Sequence, residues 1–116
     1  MARTKKILAP TYTELIVPTY KALLELGGSG TNNEIYEQVI KDMNLSDEVV
    51  DESHLGNENQ TELEYQLAWA RTYLKNYGVI VNSARSVWSI TSNYTGGATL
   101  DPKEVVAFTA NKNAKK

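Results

Sequence analysis

The chain has 116 residues, 41% of them apolar and 22% charged, with no cysteine and a formal net charge of -2. That length suits one domain around one core, and the lack of cysteine excludes disulfides, thiolate zinc sites and a cysteine nucleophile. No run approaches the roughly 18–20 apolar residues that span a bilayer, and no long apolar segment follows the basic start Met-Ala-Arg-Thr-Lys-Lys, so a cytoplasmic protein with neither membrane span nor signal peptide is expected.

Three helix starts share the spacing Thr-x-x-Glu: Thr11/Glu14, Thr31/Glu34 and Thr61/Glu64. In this pattern the Thr hydroxyl accepts the N–H of the third helical residue, while the Glu reaches back to the cap's own N–H. The first predicted helix runs from Thr11 to Leu26, with Tyr12, Leu15, Ile16, Tyr20, Leu23 and Leu24 inward. Pro18 should kink it or split off its first turn, and Gly27-Gly28-Ser29-Gly30 stops it. The second helix spans Asn32 to Met43, with Ile35, Val39, Ile40 and Met43 inward. Ser46, followed by Asp47 and Glu48, starts a further short helix through Val50. Asp51 to Gln60 is polar and reads as a loop around His54, the only histidine.

The third helix, Glu62 to Tyr77, is the clearest, with Leu63, Leu67, Ala70, Leu74 and Tyr77 on one stripe. Its opposite side presents Tyr65, Ala68, Trp69, Thr72, Lys75 and Asn76, with Arg71 at the margin. Gly78 ends it. Val79-Ile80-Val81 and Val87-Trp88-Ser89-Ile90-Thr91 then read as a hairpin joined by a longer loop, Asn82 to Ser86. Ser92 to Thr99 reads as a linker. Asp101-Pro102 begins a short helix through Phe108, and the chain is expected to be disordered from Asn111 onward. The expected fold is mainly α with a small β-hairpin: a winged helix-turn-helix over residues 8–92, then a linker and basic tail over 93–116.

A helix running into a hairpin is how such a fold presents a reading helix and a wing to DNA. The charge pattern agrees. All 14 acidic residues lie outside Tyr65–Leu100, whereas Arg71, Lys75 and Arg85 lie inside it. From Glu34 to Glu64 the chain carries ten acids against Lys41, a segment that phosphate would repel. Arg71, Lys75 and Arg85 are the expected phosphate anchors, and Tyr65, Thr72 and Asn76 the candidate base readers. The competing reading makes these ordinary solvated side chains, with Trp69 half-buried against the hairpin. Trp69 and Trp88 read as packing residues in either case. Catalytic chemistry is not expected: His54 has no cysteine nearby, Asp51-Glu52 reads as a solvated acidic face, and the glycines at 27–30 lack the Lys of a phosphate loop. Neither a metal nor a cofactor is expected.

The chain resembles the N-terminal winged-helix domain of Mrr-type restriction endonucleases. The resemblance rests on Pro10-Thr11-Tyr12 with Leu15 and Pro18, Leu23 to Gly28, Asn33-Glu34-Ile35-Tyr36 and Leu45-Ser46. It continues in Trp69-Ala70-Arg71-Thr72-Tyr73-Leu74-Lys75, Gly78 and Val87-Trp88-Ser89-Ile90-Thr91, covering about residues 8 to 92. It implies a DNA-recognition module, joined in the family to a C-terminal nuclease domain that cuts modified foreign DNA with a carboxylate-held divalent metal. This chain has no Glu-x-Lys, and its one Asp-x-Lys, Asp101-Pro102-Lys103, sits in the tail. The expectation is therefore an isolated recognition domain of a longer enzyme, or a stand-alone relative. Glu62 and Gln66 stand where the family often has basic residues, Ser86 where a Gly is common, and Ser89 where a base is common. Double-stranded DNA is the expected partner. The alternatives are a protein-interaction or homodimer surface built on Trp69, Tyr65 and the acidic second-helix region, or a stand-alone transcriptional regulator.

Overall fold

The structure, a computed structural model, describes residues 9–54, 57–96 and 99–114. Helices α1 (Tyr12–Glu25), α2 (Asn32–Met43) and α4 (Glu62–Tyr77) all begin at the anticipated threonines. Each carries a complete reciprocal cap, with Thr11, Thr31 and Thr61 accepting from the N–H of Glu14, Glu34 and Glu64 while those carboxylates take the caps' own N–H. The short helix α3 (Asp47–Val50) is capped by Ser46. Helix α1 continues unbroken through Pro18, so a split first turn does not occur. Among the described residues no helix is long and apolar enough to cross a membrane.

Helix α4 crosses behind α1 and brings Leu63, Leu67, Ala70 and Leu74 against Leu15, Ile16, Tyr20 and Leu23, all buried. Ile35 and Val39 of α2 close the same core, joined by Val79, just before the first strand after α4, and by Ile80 and Ile90 from the strands that follow α4. Gly78 ends α4 with φ 98°, a conformation that only glycine adopts without strain. Burying this stripe, at about 25 cal/mol per Å² of apolar surface, is what holds three short helices together.

The architecture is mainly helical with a small antiparallel sheet, but it has more strand than the sequence announced. β1 (Ser29–Thr31), β4 (Ile80–Ala84) and β5 (Val87–Ile90) form one sheet in the order β1-β5-β4. The glycine-rich run after α1 is thus a helix stop that turns at once into a strand. It has no apolar alternation, and it pairs through its backbone, Gly30 opposite Trp88 and Thr31 opposite Val87. The hairpin loop is shorter than expected. β4 extends to Ala84 with an irregularity after Asn82, so only Arg85 and Ser86 remain at the tip. The polar run read as a loop contains β2 (Ser53–His54) and β3 (Asn57–Thr61), paired antiparallel. Thr31 and Thr61 are therefore both the last residue of a strand and the cap of a helix.

The segment expected to be a linker is partly ordered against α1. Residues Ser92–Tyr94 make a single 3-10 turn, Tyr20 donates its hydroxyl to the Tyr94 carbonyl, and the two rings meet edge-on at 6.5 Å. Helix α5 (Pro102–Ala114) starts at Pro102 as the sequence indicated, but it is 13 residues long and runs past both Phe108 and Asn111. Asp101 accepts the N–H of Lys103 through its side chain, and Val105 is fully buried in the common core. That cap gives Asp101 a structural reason to be there.

Candidate nucleic-acid interface

The outer side of α4 follows from its spacing. With the leucine stripe turned inward, Thr72 and Lys75 are exposed, and Tyr65, Ala68 and Asn76 are half-exposed beside them. The Thr72 hydroxyl donates to the Ala68 carbonyl one turn back at 3.0 Å, so in this state its proton is committed and its lone pairs face outward. Lys75 has no ion pair among the described residues. Trp69 is 41% exposed. It sits on the α1 side of the helix, tilted against Tyr73 at 6.0 Å, and Tyr73 stacks on Tyr12 at 5.1 Å.

Arg71 differs from the other two cations. Its side chain lies over the ring of Trp88, 5.9 Å from the centroid, close to the ~6 Å limit of a cation–π contact. Its Nε is buried with no hydrogen-bond partner among the described residues, and burial pushes the guanidinium's pKa below its ordinary value. Trp88 is itself fixed: its indole N–H donates to Asn32 Oδ1 at 2.7 Å, and the Asn32 backbone N–H donates to the Ser86 carbonyl at 2.9 Å. One side chain thus ties β5 to the start of α2 and supports the cation of α4. The need of a half-buried indole for an acceptor was legible in the sequence, but not that Asn32 supplies it.

Arg71 opens onto a cleft of about 470 Å³ between α2 and the N-terminal half of α4. Asn32, Asn33 and Tyr36 line one side, Gln60, Glu64 and Ala68 the other, with Leu67 at the floor. Apart from Arg71 and Ala68, sequence reasoning assigned none of these to the outer face. Their only signal was proximity to two helix starts.

The hairpin carries the third cation. Arg85 is exposed at the tip, next to Ser86, which adopts a left-handed φ of 59°. That backbone explains why a glycine is the easier residue there. Asn82 braces the turn through its amide, which donates to the Ala84 and Val87 carbonyls, both at 2.8 Å. Ser83 and Ser89 hydroxyls pair across the strands at 2.9 Å.

Two departures from the family pattern lose their electrostatic meaning here. Glu62 is 5% exposed and accepts from Gln66, whose carbonyl oxygen takes the Tyr12 N–H at 2.8 Å. Both residues face α1, not the outer side of α4, so their lack of positive charge leaves that surface unchanged. Among the described residues no three His, Asp or Glu side chains gather into a metal-binding group. The side chain of His54 lies outside the described set.

A family model described as the Mrr N-terminal domain matches residues 12–99. No curated protein and no solved structure gave a significant match.

Proposed function

This chain belongs to the Mrr N-terminal domain family, and we propose that it is a DNA-binding winged helix, with α4 as reading helix and the β4–β5 hairpin as wing. The family is associated with restriction systems, and the matched model is that of an N-terminal domain, not of a nuclease. In this reading the module recognises foreign or modified double-stranded DNA, and cutting belongs to a nuclease domain of the natural protein. The observation that carries it is the charge segregation: the outer side of α4 and the adjacent hairpin hold Arg71, Lys75 and Arg85, with no acid between Tyr65 and Leu100. Lys75 and Arg85, both exposed and unpaired among the described residues, are the phosphate contacts. Tyr65, Thr72 and Asn76 present hydroxyl and amide groups of the kind that read base edges in a major groove.

The test is fluorescence anisotropy with a short labelled duplex across a salt series. Two neutralised phosphates give a slope of log affinity against log salt of roughly -2, and roughly -3 if Arg71 neutralises a third. A flat response removes the electrostatic basis of the proposal. A second reading, a protein or homodimer contact, is supported by one observation, the exposure of Trp69 beside Tyr73. It requires a complex that survives Arg85→Ala and is lost with Trp69→Ala.

A further inference from the structure

The cleft beside Arg71 has a chemistry of its own. An arginine whose guanidinium has no hydrogen-bond or carboxylate partner among the described residues sits in its wall. Burying such a group is costly unless acceptors are supplied from somewhere. The obvious supplier, a phosphate, does not suit the site. Glu64 lines the same cleft: its Oε1 is held by the Thr61 N–H, while its Oε2 has no partner among the described residues. A free carboxylate oxygen repels an anion and accepts an N–H. Asn33 and Gln60 add side-chain amides that make no hydrogen bond among the described residues, each offering a donor and an acceptor. Tyr36 gives an aromatic wall, and Leu67 with Ala68 an apolar one. The volume, about 470 Å³, falls within the range of about 300–1,000 Å³ of small-molecule sites.

We infer that this cleft receives a single unstacked nucleobase of the bound DNA, with Arg71 as donor to its acceptor edge and Glu64 as acceptor from its N–H edge. A base still stacked in a duplex presents an edge to a convex surface, and a concave site between two helices takes a base that has left the stack. All four bases carry both kinds of group. Guanine matches most fully, with O6 and N7 for a guanidinium and its N1–H and N2–H edge for the open carboxylate oxygen Oε2. Arg71 then reads a base, and the phosphate contacts are Lys75 and Arg85 alone. The inference rests on the DNA-binding reading, and its test separates the two.

The full chain is titrated with three duplexes of equal phosphate number: one fully paired, one with an unpaired guanine bulge, and one with an abasic bulge at the same place. The expected result is binding of the guanine-bulge duplex at least tenfold tighter than either of the others. Glu64→Gln, which keeps a capping side chain at that helix position, and Arg71→Lys, which keeps the charge but loses the planar fork, should each erase that preference. The salt slope should stay near -2 throughout. Equal affinity for guanine and abasic bulges overturns the inference while leaving DNA binding intact. No binding to any duplex overturns the DNA-binding reading itself. Neutral deoxyguanosine followed by NMR on the unsubstituted chain is the check that needs no variant: shifts at Asn33, Tyr36, Ala68 and Arg71 support the site, and none at millimolar concentration contradicts it.

Discussion

Thr19 has the least explained side chain in the core. It is fully buried on α1, and its hydroxyl has no hydrogen-bond partner among the described residues. A buried, unsatisfied hydroxyl costs about 1–3 kcal/mol, whereas a methyl of the same shape costs nothing of the kind. Thr19→Val should therefore raise stability by about 1 kcal/mol, read as a higher urea midpoint at unchanged slope. A lower midpoint would mean that the hydroxyl has an acceptor after all. Ser86 makes the complementary case. Its φ of 59° places an L-residue where the left-handed conformation costs about 1–2 kcal/mol. Ser86→Gly relieves that cost but adds about 0.5–1 kcal/mol of unfolded-chain freedom. The net gain should be about 0.5 kcal/mol in thermal or urea denaturation, and a loss would show that Ser86 is not strained. The resemblance implies a glycine at this position, and the reason, a two-residue tip with positive φ, emerges only in the fold.

At the scale of elements, legibility tracked the strength of the local chemistry. The three Thr-x-x-Glu boxes and the leucine stripe gave α2 and α4 to the residue, because capping and helical periodicity are written within a few positions of each other. β1 was hidden because Ser-Gly-Thr has no apolar alternation, and its partner, β5, lies more than fifty residues away. β2 and β3 were hidden because their residues are polar throughout and show no apolar alternation. Thr61 joins both kinds of signal, since it ends β3 and caps α4. Thr61→Ala should cost about 1 kcal/mol, and hydrogen exchange should show the loss concentrated in the first turn of α4. Uniform destabilisation without local opening would contradict the assignment of that cost to the cap.

For the whole molecule, what mattered was how distant segments meet. The sequence told which cations lie in the acid-free stretch, but not that Trp88 and Asn32 set Arg71 apart from Lys75 and Arg85. That distinction needs three elements at once, α2, α4 and β5, and no local pattern carries it. Glu62 and Gln66 show the opposite case: a charge difference that looked functional in the chain turns inward to α1 and bears on packing. The acidic residues Glu34, Glu37 and Asp42 are exposed on α2, a surface that repels a polyanion, so the proposed reading has DNA approach along α4 and the hairpin. The measurement that tests this account most directly is an amide NMR titration with a short duplex at low and moderate salt, with and without methylated bases. The account predicts shifts concentrated at residues 65–76 and 82–88, with companions around the cleft at 32–36, all weakening as salt rises. Shifts absent throughout, or confined to Trp69, Tyr73 and the acidic face of α2 on adding a protein partner, would contradict it.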